Sequence, residues 1–163
     1  MDLLLVRHAI AFERDPRRWP DDAERPLTAQ GMARARKAAA GLKRLTPAPV
    51  QLLTSPLRRA YQTASILTRV AGWPKPIPTA QLTPGTPPQD VFALLARTRA
   101  QRVAAVGHEP DLSKLLLACL GGSSPAFAFR KMGVALVKFR GPVRAGRGRL
   151  VGFLPPRLLR AAR

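Results

Sequence analysis

Short apolar runs alternate along this chain with segments whose apolar residues recur every three or four positions. The runs predict buried strands over residues 2–6, 50–54, 77–82 and 102–106, and the recurring pattern predicts helices that keep one face on a core. The helical stripes contain, in chain order, Met32, Ala35, Ala39, Leu42 and Leu45, then Leu57, Ala60, Tyr61, Ala64, Leu67 and Thr68, then Val91, Leu94 and Leu95, and finally Leu112, Leu115, Leu116 and Cys119.

Polar residues and prolines mark where these helices begin. Thr28 is suited to cap the first helix, because its hydroxyl accepts from a free backbone N–H in the first turn. Ser55 is suited to cap the second helix, with Pro56 at the first helical position. Glu109 and Pro110 are predicted to open the helix that follows the strand at 102–106.

Strands that alternate with helices predict a mainly parallel sheet covered on both faces. Residues 134–139 and 150–154 predict two further strands, joined by the Arg- and Gly-rich stretch RGPVRAGRGR, as an antiparallel hairpin at one edge. We therefore expect an α/β protein, a three-layer α/β/α sandwich, with residues 1–163 forming one domain. Ligands of such sheets bind beyond the carboxyl ends of the strands.

The chain is strongly basic, with 28 Lys and Arg against 9 Asp and Glu and a formal charge of +19. Most of these cations are arginines, which pair bidentately with phosphates and carboxylates, and this predicts an anionic partner. Non-specific adhesion of nucleic acid to the basic surface is a further expectation. The alternative interpretation is that arginine only fills solvated surface positions.

Other features of the composition exclude several classes of protein. No apolar run approaches the roughly 18 residues that a membrane span requires, so we expect no membrane partner. The opening sequence MDLLLVRH lacks a basic segment before its apolar run and predicts a strand instead of a signal peptide, which favours the cytoplasm. The single cysteine, Cys119, predicts a buried thiol. With two histidines, no CxxC and no HExxH, the sequence predicts no metal site and no cofactor.

Both histidines of the chain come directly after apolar strands, His8 in LLLVRH and His108 in VAAVGH. This position predicts that they meet at the same edge of the sheet. Arg7 precedes His8, and Arg59 lies one turn into a helix whose side chains lean back toward that edge. The direction of the neighbouring Arg58 is less defined by the pattern.

Two arginines and two histidines in one pocket suit phosphoryl transfer, because the transferring group needs fixed positive donors and an in-line nucleophile. We expect His8 to attack phosphorus and form a phosphohistidine, while Arg7, Arg59 and His108 bind the phosphate oxygens until water releases phosphate. The other ring nitrogen of His8 requires a hydrogen-bond acceptor, which the sequence does not identify.

The motifs LLLVRHA, RPLTAQG, SPLRRAYQTA and VGHEP, in this order, resemble the histidine phosphatase superfamily, also called the phosphoglycerate-mutase-like family. The resemblance implies that fold, a nucleophilic His8 and a phosphate pocket of Arg7, Arg59 and His108. Within the superfamily, this sequence looks most like the SixA-type phosphohistidine phosphatases, whose substrates are phosphorylated protein histidines. The features that carry this resemblance are the short chain, the RPLT segment at 25–28 and the turn that begins with Thr-Pro at 83–85.

The sequence departs from the family pattern in three places. Ala9 stands in RHA where glycine is usual, and Glu109 stands in GHEP where asparagine is commoner, adding negative charge that would weaken phosphate binding. The segment LTPGTPPQD offers only Asp90 as the acid that many relatives carry after the third strand, and Glu13, Asp22 and Glu109 remain alternatives. Without a proton donor an alkoxide leaves poorly, whereas the nitrogen of a phosphoramidate takes its proton from solvent, so we favour a phosphohistidine substrate.

Two other functions remain open from the sequence. One is a phosphomonoesterase of the same fold acting on a small phosphorylated metabolite, with an acid of the 13–24 segment as proton donor. The other is a nucleic-acid or polyphosphate binder that uses the arginines without chemistry, although few aromatic residues are present to stack on bases. The sequence does not predict the oligomeric state.

Overall fold

A six-stranded sheet forms the centre of the computed structural model, which describes residues 1–122 and 128–162. The first four strands in the chain are parallel to one another, and the last two are antiparallel to their neighbours. The strands are β1 (Asp2–Arg7), β2 (Gln51–Thr54), β3 (Pro76–Pro78), β4 (Arg102–Gly107), β5 (Val134–Phe139) and β6 (Gly148–Leu154). Their order across the sheet is β3-β2-β4-β1-β5-β6, so β5 and β6 form the hairpin at one edge.

Helices cover both faces of this sheet. They are α1 (Ala29–Leu45), α2 (Arg58–Ala71), α3 (Pro88–Arg97), α4 (Asp111–Leu120) and α5 (Pro156–Ala161). Because side chains of a strand alternate between faces, Leu4 and Val6 of β1 pack toward α1, α2 and α5, whereas Leu3 and Leu5 pack toward α3 and α4. The three-layer α/β/α prediction with a C-terminal edge hairpin is therefore confirmed.

The strand predicted over residues 77–82 is wrong in its extent. The strand itself covers only Pro76–Pro78, which pairs with β2, and Ala80–Leu82 forms a single 3₁₀ turn. Pro78 is opposite Thr54, the last residue of β2, and the Thr79 N–H donates to the Thr54 oxygen at 2.8 Å, so β2 offers no further residue for pairing.

The predicted beginnings of two helices differ in outcome. Thr28 caps α1 as expected, its Oγ1 accepting from the N–H of Gly31 at 2.9 Å. Ser55 and Pro56 do not open α2, which begins at Arg58 with no capping side chain. Ser55 is instead engaged in the candidate active site.

The sequence pattern did not predict α5, which packs on α1. Its Leu159 is fully buried, and its backbone approaches Gly41 so closely that a Cβ there would lie 1.8 Å from the Leu159 oxygen. Six residues are too few to display a helical period. Across residues 1–122 and 128–162 no helix has the length and apolarity of a membrane span.

The burial predicted for Cys119 is confirmed. Its side chain is fully buried on α4, and desolvation raises the pKa of the thiol to about 12. The thiol is therefore protonated and unreactive at neutral pH.

Candidate active site

The two histidines meet because β1 and β4 are adjacent parallel strands with Arg7 opposite Gly107. The backbone N–H of His8 donates to the Gly107 oxygen at 3.0 Å, and the two imidazole centroids are 5.1 Å apart. Both His8 and His108 are only 4% exposed. The structure thus brings together the two residues that the sequence placed at one edge of the sheet.

A backbone hydrogen bond fixes the orientation of the His8 ring. Its Nδ1 lies 2.7 Å from the oxygen of Ala9, so Nδ1 carries the proton and Nε2 keeps a lone pair. The Ala9 N–H donates to Thr63 Oγ1 at 3.0 Å, and Thr63 in turn donates to the Arg59 oxygen at 2.7 Å. Ala9 therefore supplies the acceptor that the sequence did not identify, and the buried Thr63 ties it to α2.

Lys131 approaches the free nitrogen of His8, with Nζ 3.4 Å from Nε2. The loop that carries it is fastened beside β1, because the Met132 N–H donates to the Arg7 oxygen and the Arg7 N–H donates to the Gly133 oxygen, each at 3.1 Å. Met132 adopts a left-handed φ of 66° in this loop. Burial lowers the pKa of Lys131 to about 8. The sequence pattern does not predict a role for this residue.

Arg59 is buried at the start of α2, whereas Arg58 points outward. Arg59 is 4% exposed, and it donates from Nη1 to the backbone oxygen of Asp22 at 2.8 Å and pairs through Nη2 with the Asp22 carboxylate at 3.1 Å. The Arg58 side chain is 52% exposed and lies 3.7 Å from Glu24. Of the two neighbouring arginines, Arg59 is therefore the one directed inward, as expected from the lean of helical side chains.

Asp22 acts as the anchor of this arginine. Its carboxylate also accepts from Arg25 Nε at 2.7 Å, and this hydrogen bond, with the charge of Arg59, holds the pKa of Asp22 below its usual value. A carboxylate that is ionised and paired twice is a poor proton donor. Asp22, which the sequence left as one possible acid, is thus better suited to position Arg59.

Arg7 is fixed through one guanidinium nitrogen. Its Nη1 donates to the oxygen of Phe129, and its pKa is lowered by burial. Within the described ranges, Nε of Arg7 and Nε of Arg59 are buried N–H groups that have no hydrogen-bond partner. An unpaired buried donor costs about 1–3 kcal/mol of stability.

Glu109 has a different role from the one its sequence position indicated. It does not open α4, whereas Pro110 does: Pro110 is the N-cap of the helix that begins at Asp111, and its oxygen accepts from the Lys114 N–H at 3.1 Å. The Glu109 carboxylate accepts from Ser113 Oγ at 2.8 Å and from the Phe129 N–H at 2.7 Å. The contact with Phe129 holds the residue whose oxygen accepts from Arg7, and the contact with Ser113 ties Glu109 to α4. The negative charge raises the pKa of Arg7, opposing the larger effect of burial.

His108 is oriented by Ser55, whose Oγ lies 2.9 Å from Nε2. Ser55 Oγ also accepts from the Leu57 N–H at 3.3 Å. Ser55 thus links the end of β2 both to the His108 imidazole and to the N–H of Leu57, the residue that precedes α2. Ser55 is therefore a second residue whose part in the site the sequence missed.

Burial keeps both imidazoles neutral. Desolvation, followed by the charge of Lys131, lowers the pKa of His8 to about 2. Desolvation, followed by the charge of Arg59, lowers the pKa of His108 to about 3. At neutral pH His8 consequently has an unprotonated Nε2, which is the form that acts as a nucleophile.

These depressed pKa values predict that acid destabilises the protein through its histidines. An unfolded histidine takes up a proton below pH about 6.5. The folded protein does so only near pH 3 for His108 and near pH 2 for His8, so the unfolded state binds more protons between these limits. The free energy of unfolding should therefore fall by about 2 kcal/mol per histidine from pH 7 to pH 5.

Urea unfolding of the wild type and of a His8→Asn/His108→Asn variant at pH 5, 6 and 7 would measure this effect. The variant should lose most of the dependence, because Asp22 titrates below this range and Lys131 above it. An equal decline in both proteins would contradict the assignment.

The comparisons with known proteins agree with this geometry. A model of the histidine phosphatase superfamily (branch 1) matches residues 3–83, which include Arg7, His8 and Arg59. An uncharacterized protein of Picosynechococcus sp. is 37% identical over 117 residues, which cover 70% of each chain. The chain belongs to the histidine phosphatase superfamily.

Solved structures of this superfamily have the same fold. The protein histidine phosphatase SixA, complexed with tungstate, has a TM-score of 0.85 and 25% identity over 98% of this chain and 99% of that one. The SixA protein of Agrobacterium tumefaciens has a TM-score of 0.76 and 26% identity, covering 95% and 97% of the two chains. A phosphoserine phosphatase of Entamoeba histolytica, with a TM-score of 0.69, 17% identity and coverage of 97% and 98%, shares the fold. Superfamily and SixA-like neighbours together support phosphatase activity.

In the part of the chain that the structure describes, no group of three or more His, Cys, Asp or Glu side chains is arranged to hold a metal ion. The positive charge around His8 comes from Arg7, Arg59 and Lys131.

Proposed function

We propose that this protein removes the phosphoryl group from phosphohistidine on proteins, through a phosphohistidine intermediate on His8. The observation that carries the proposal is the arrangement of the His8 ring, with Nδ1 bound to the Ala9 oxygen and Nε2 directed toward Lys131. A neutral imidazole held in this tautomer, with fixed cations beside its lone pair, suits in-line attack on a phosphoryl group.

Each residue of the pocket has a part in the proposed reaction. Nε2 of His8 attacks phosphorus while the P–N bond of the substrate breaks, and the departing imidazole takes a proton from solvent. Water then attacks phosphorus on His8 and loses a proton, inorganic phosphate leaves, and Nε2 regains its lone pair. Arg7, Arg59 and His108 donate to the phosphate oxygens throughout.

The carboxylates near the pocket favour a nitrogen-linked phosphate. Asp22 is paired with Arg25 and Arg59, and Glu109 accepts from Ser113 and Phe129, so neither is free to protonate a leaving alkoxide. Glu13 and Asp90 are exposed. A phosphoramidate does not need an enzymatic acid as strongly as an ester does.

One observation favours a second candidate, a phosphomonoesterase acting on a small metabolite. Lys131 has a pKa near 8 and lies 3.4 Å from the attacking nitrogen, so its ammonium group is a potential proton donor to an alkoxide. Such a donor would compensate for the missing carboxylic acid.

Substrate profiling tests the two candidates. We expect kcat/KM for a phosphohistidine peptide to exceed that for phosphoserine and for sugar phosphates by at least about tenfold, because P–N cleavage proceeds without an enzymatic acid. Faster turnover of either ester would favour the phosphomonoesterase and overturn the proposed substrate.

A further inference from the structure

A basic groove of about 740 Å³ adjoins the pocket of His8. Six cationic side chains line this groove and no acidic residue does. They are Arg7, Arg34, Arg130, Lys131, Arg157 and Arg160.

The outer cations of the groove come from three separate parts of the fold. Arg34 lies on α1, Arg130 on the segment before β5, and Arg157 and Arg160 on α5. All four are exposed, and within residues 1–122 and 128–162 none of their side chains has a hydrogen bond or an ion pair. Their donors are therefore free for an anionic ligand, and a ligand that engages them relieves the repulsion among like charges.

The groove and the catalytic pocket share two residues. Arg7 and Lys131 line the groove, and Lys131 also contacts His8 Nε2. A substrate whose phosphoryl group lies at His8 would consequently extend into the groove without leaving the protein surface.

The character of the groove suits a protein better than a small metabolite. Sites for small ligands enclose roughly 70–90% of the ligand surface. Here the four outer cations are exposed to solvent. Exposed charges steer an oppositely charged protein toward the surface and discriminate among binding partners. Carboxylate side chains on a protein match both the charge and the openness.

We propose that Arg34, Arg130, Arg157 and Arg160 form a docking groove for carboxylate side chains that flank the phosphohistidine of the protein substrate. This inference rests on the proposed function, because it assumes that the phosphoryl group arrives on a protein histidine. Bidentate pairing is not required of every arginine in the groove, since long-range attraction alone raises the rate of encounter.

A second basic surface supplies a matched control. Arg147 and Arg149, at the β5–β6 hairpin, are also exposed and line a different pocket together with Lys138 and Arg140. That pocket shares no residue with the groove or with the contacts of His8. Reversing two charges there changes the net charge as much as reversing two charges in the groove.

The test uses the full chain and two synthetic phosphohistidine peptides, one flanked by glutamates and the other by glutamines. We expect the wild type to have a kcat/KM about tenfold higher for the glutamate peptide, with the preference decreasing as salt is added. An Arg34→Glu/Arg157→Glu variant should lose this preference while it hydrolyses the glutamine peptide at the wild-type rate. An Arg147→Glu/Arg149→Glu variant should retain the preference.

The possible failures are distinguishable. Hydrolysis of neither peptide by the wild type would overturn the proposed function and the groove with it. Equal hydrolysis of both peptides by the wild type would overturn the groove alone. A preference for the glutamate peptide that persists in the Arg34→Glu/Arg157→Glu variant would also refute the groove. Loss of the preference in the Arg147→Glu/Arg149→Glu variant as well would refute it too, because the effect would then reflect net charge. Turnover of the glutamine peptide serves as the check that each variant is folded.

Discussion

Replacing His8 with alanine is expected to lower kcat/KM for a phosphohistidine peptide by at least about 10⁴-fold, because no other group occupies the position of the attacking nitrogen. The Nε2 atom that is lost is the one directed toward Lys131, while Arg7, Arg59 and His108 remain to bind phosphate. Turnover should therefore fall much more than substrate binding does. Steady-state kinetics and phosphate-binding measurements on the purified variant would separate the two effects.

An Arg58→Ala variant is the matched control for this experiment. Arg58 is adjacent to Arg59 in the chain, but its side chain is 52% exposed and contacts Glu24, so activity should remain near that of the wild type. Acid-labile radioactive phosphate, trapped by rapid quenching of the wild type, should map to His8. Phosphate release by the pure His8→Ala variant, or label on another residue, would defeat the mechanism.

The core of the candidate site could be predicted because it depends on local rules. His8 and His108 each follow an apolar run, and parallel strands bring their carboxyl ends to one edge whatever their order in the sheet. Arg59 could be distinguished from Arg58 because helical side chains lean toward the N-terminus. These inferences needed the identity of the elements but not their arrangement.

Lys131 and Ser55 could not be assigned in this way. Lys131 reaches His8 because β5 lies antiparallel beside β1, with Val134 opposite Val6, so the residues before β5 lie at the same edge as the end of β1. The sequence predicted an edge hairpin but not which strand it joins. The contact of Ser55 with the His108 imidazole depends on the adjacency of β2 and β4, which the sequence pattern does not show.

The structure also explains how a strongly basic protein keeps a neutral nucleophile. Burial has the largest effect on the pKa of His8, and the nearby charge of Lys131 adds to it. The cations that attract the phosphate thus also keep protons off the nitrogen that attacks it. This coupling between binding and nucleophilicity makes Lys131 the most informative residue of the site after His8.

Replacing Lys131 with methionine is expected to lower kcat/KM by about 10²-fold, the usual effect of removing one charged donor from a developing transition state. The wild type should also lose activity above pH 8, because Lys131 has a pKa of about 8 and gives up its charge as the pH rises through that value. Rate measurements from pH 6 to pH 10 should therefore show an alkaline decline in the wild type and none in the Lys131→Met variant.

A Lys131→Arg variant separates charge from mere bulk at this position. Arginine stays protonated throughout the range, so this variant should recover part of the lost activity and show no decline between pH 8 and pH 10. An alkaline decline that persists in both variants would assign the titration to another group, and full activity in Lys131→Met would remove Lys131 from the reaction. The expected result is that neither Lys131→Met nor Lys131→Arg loses activity between pH 8 and pH 10, and that only Lys131→Arg recovers activity. This result would identify the positive charge of Lys131 beside Nε2 as the group that stabilises the transferring phosphoryl oxygens.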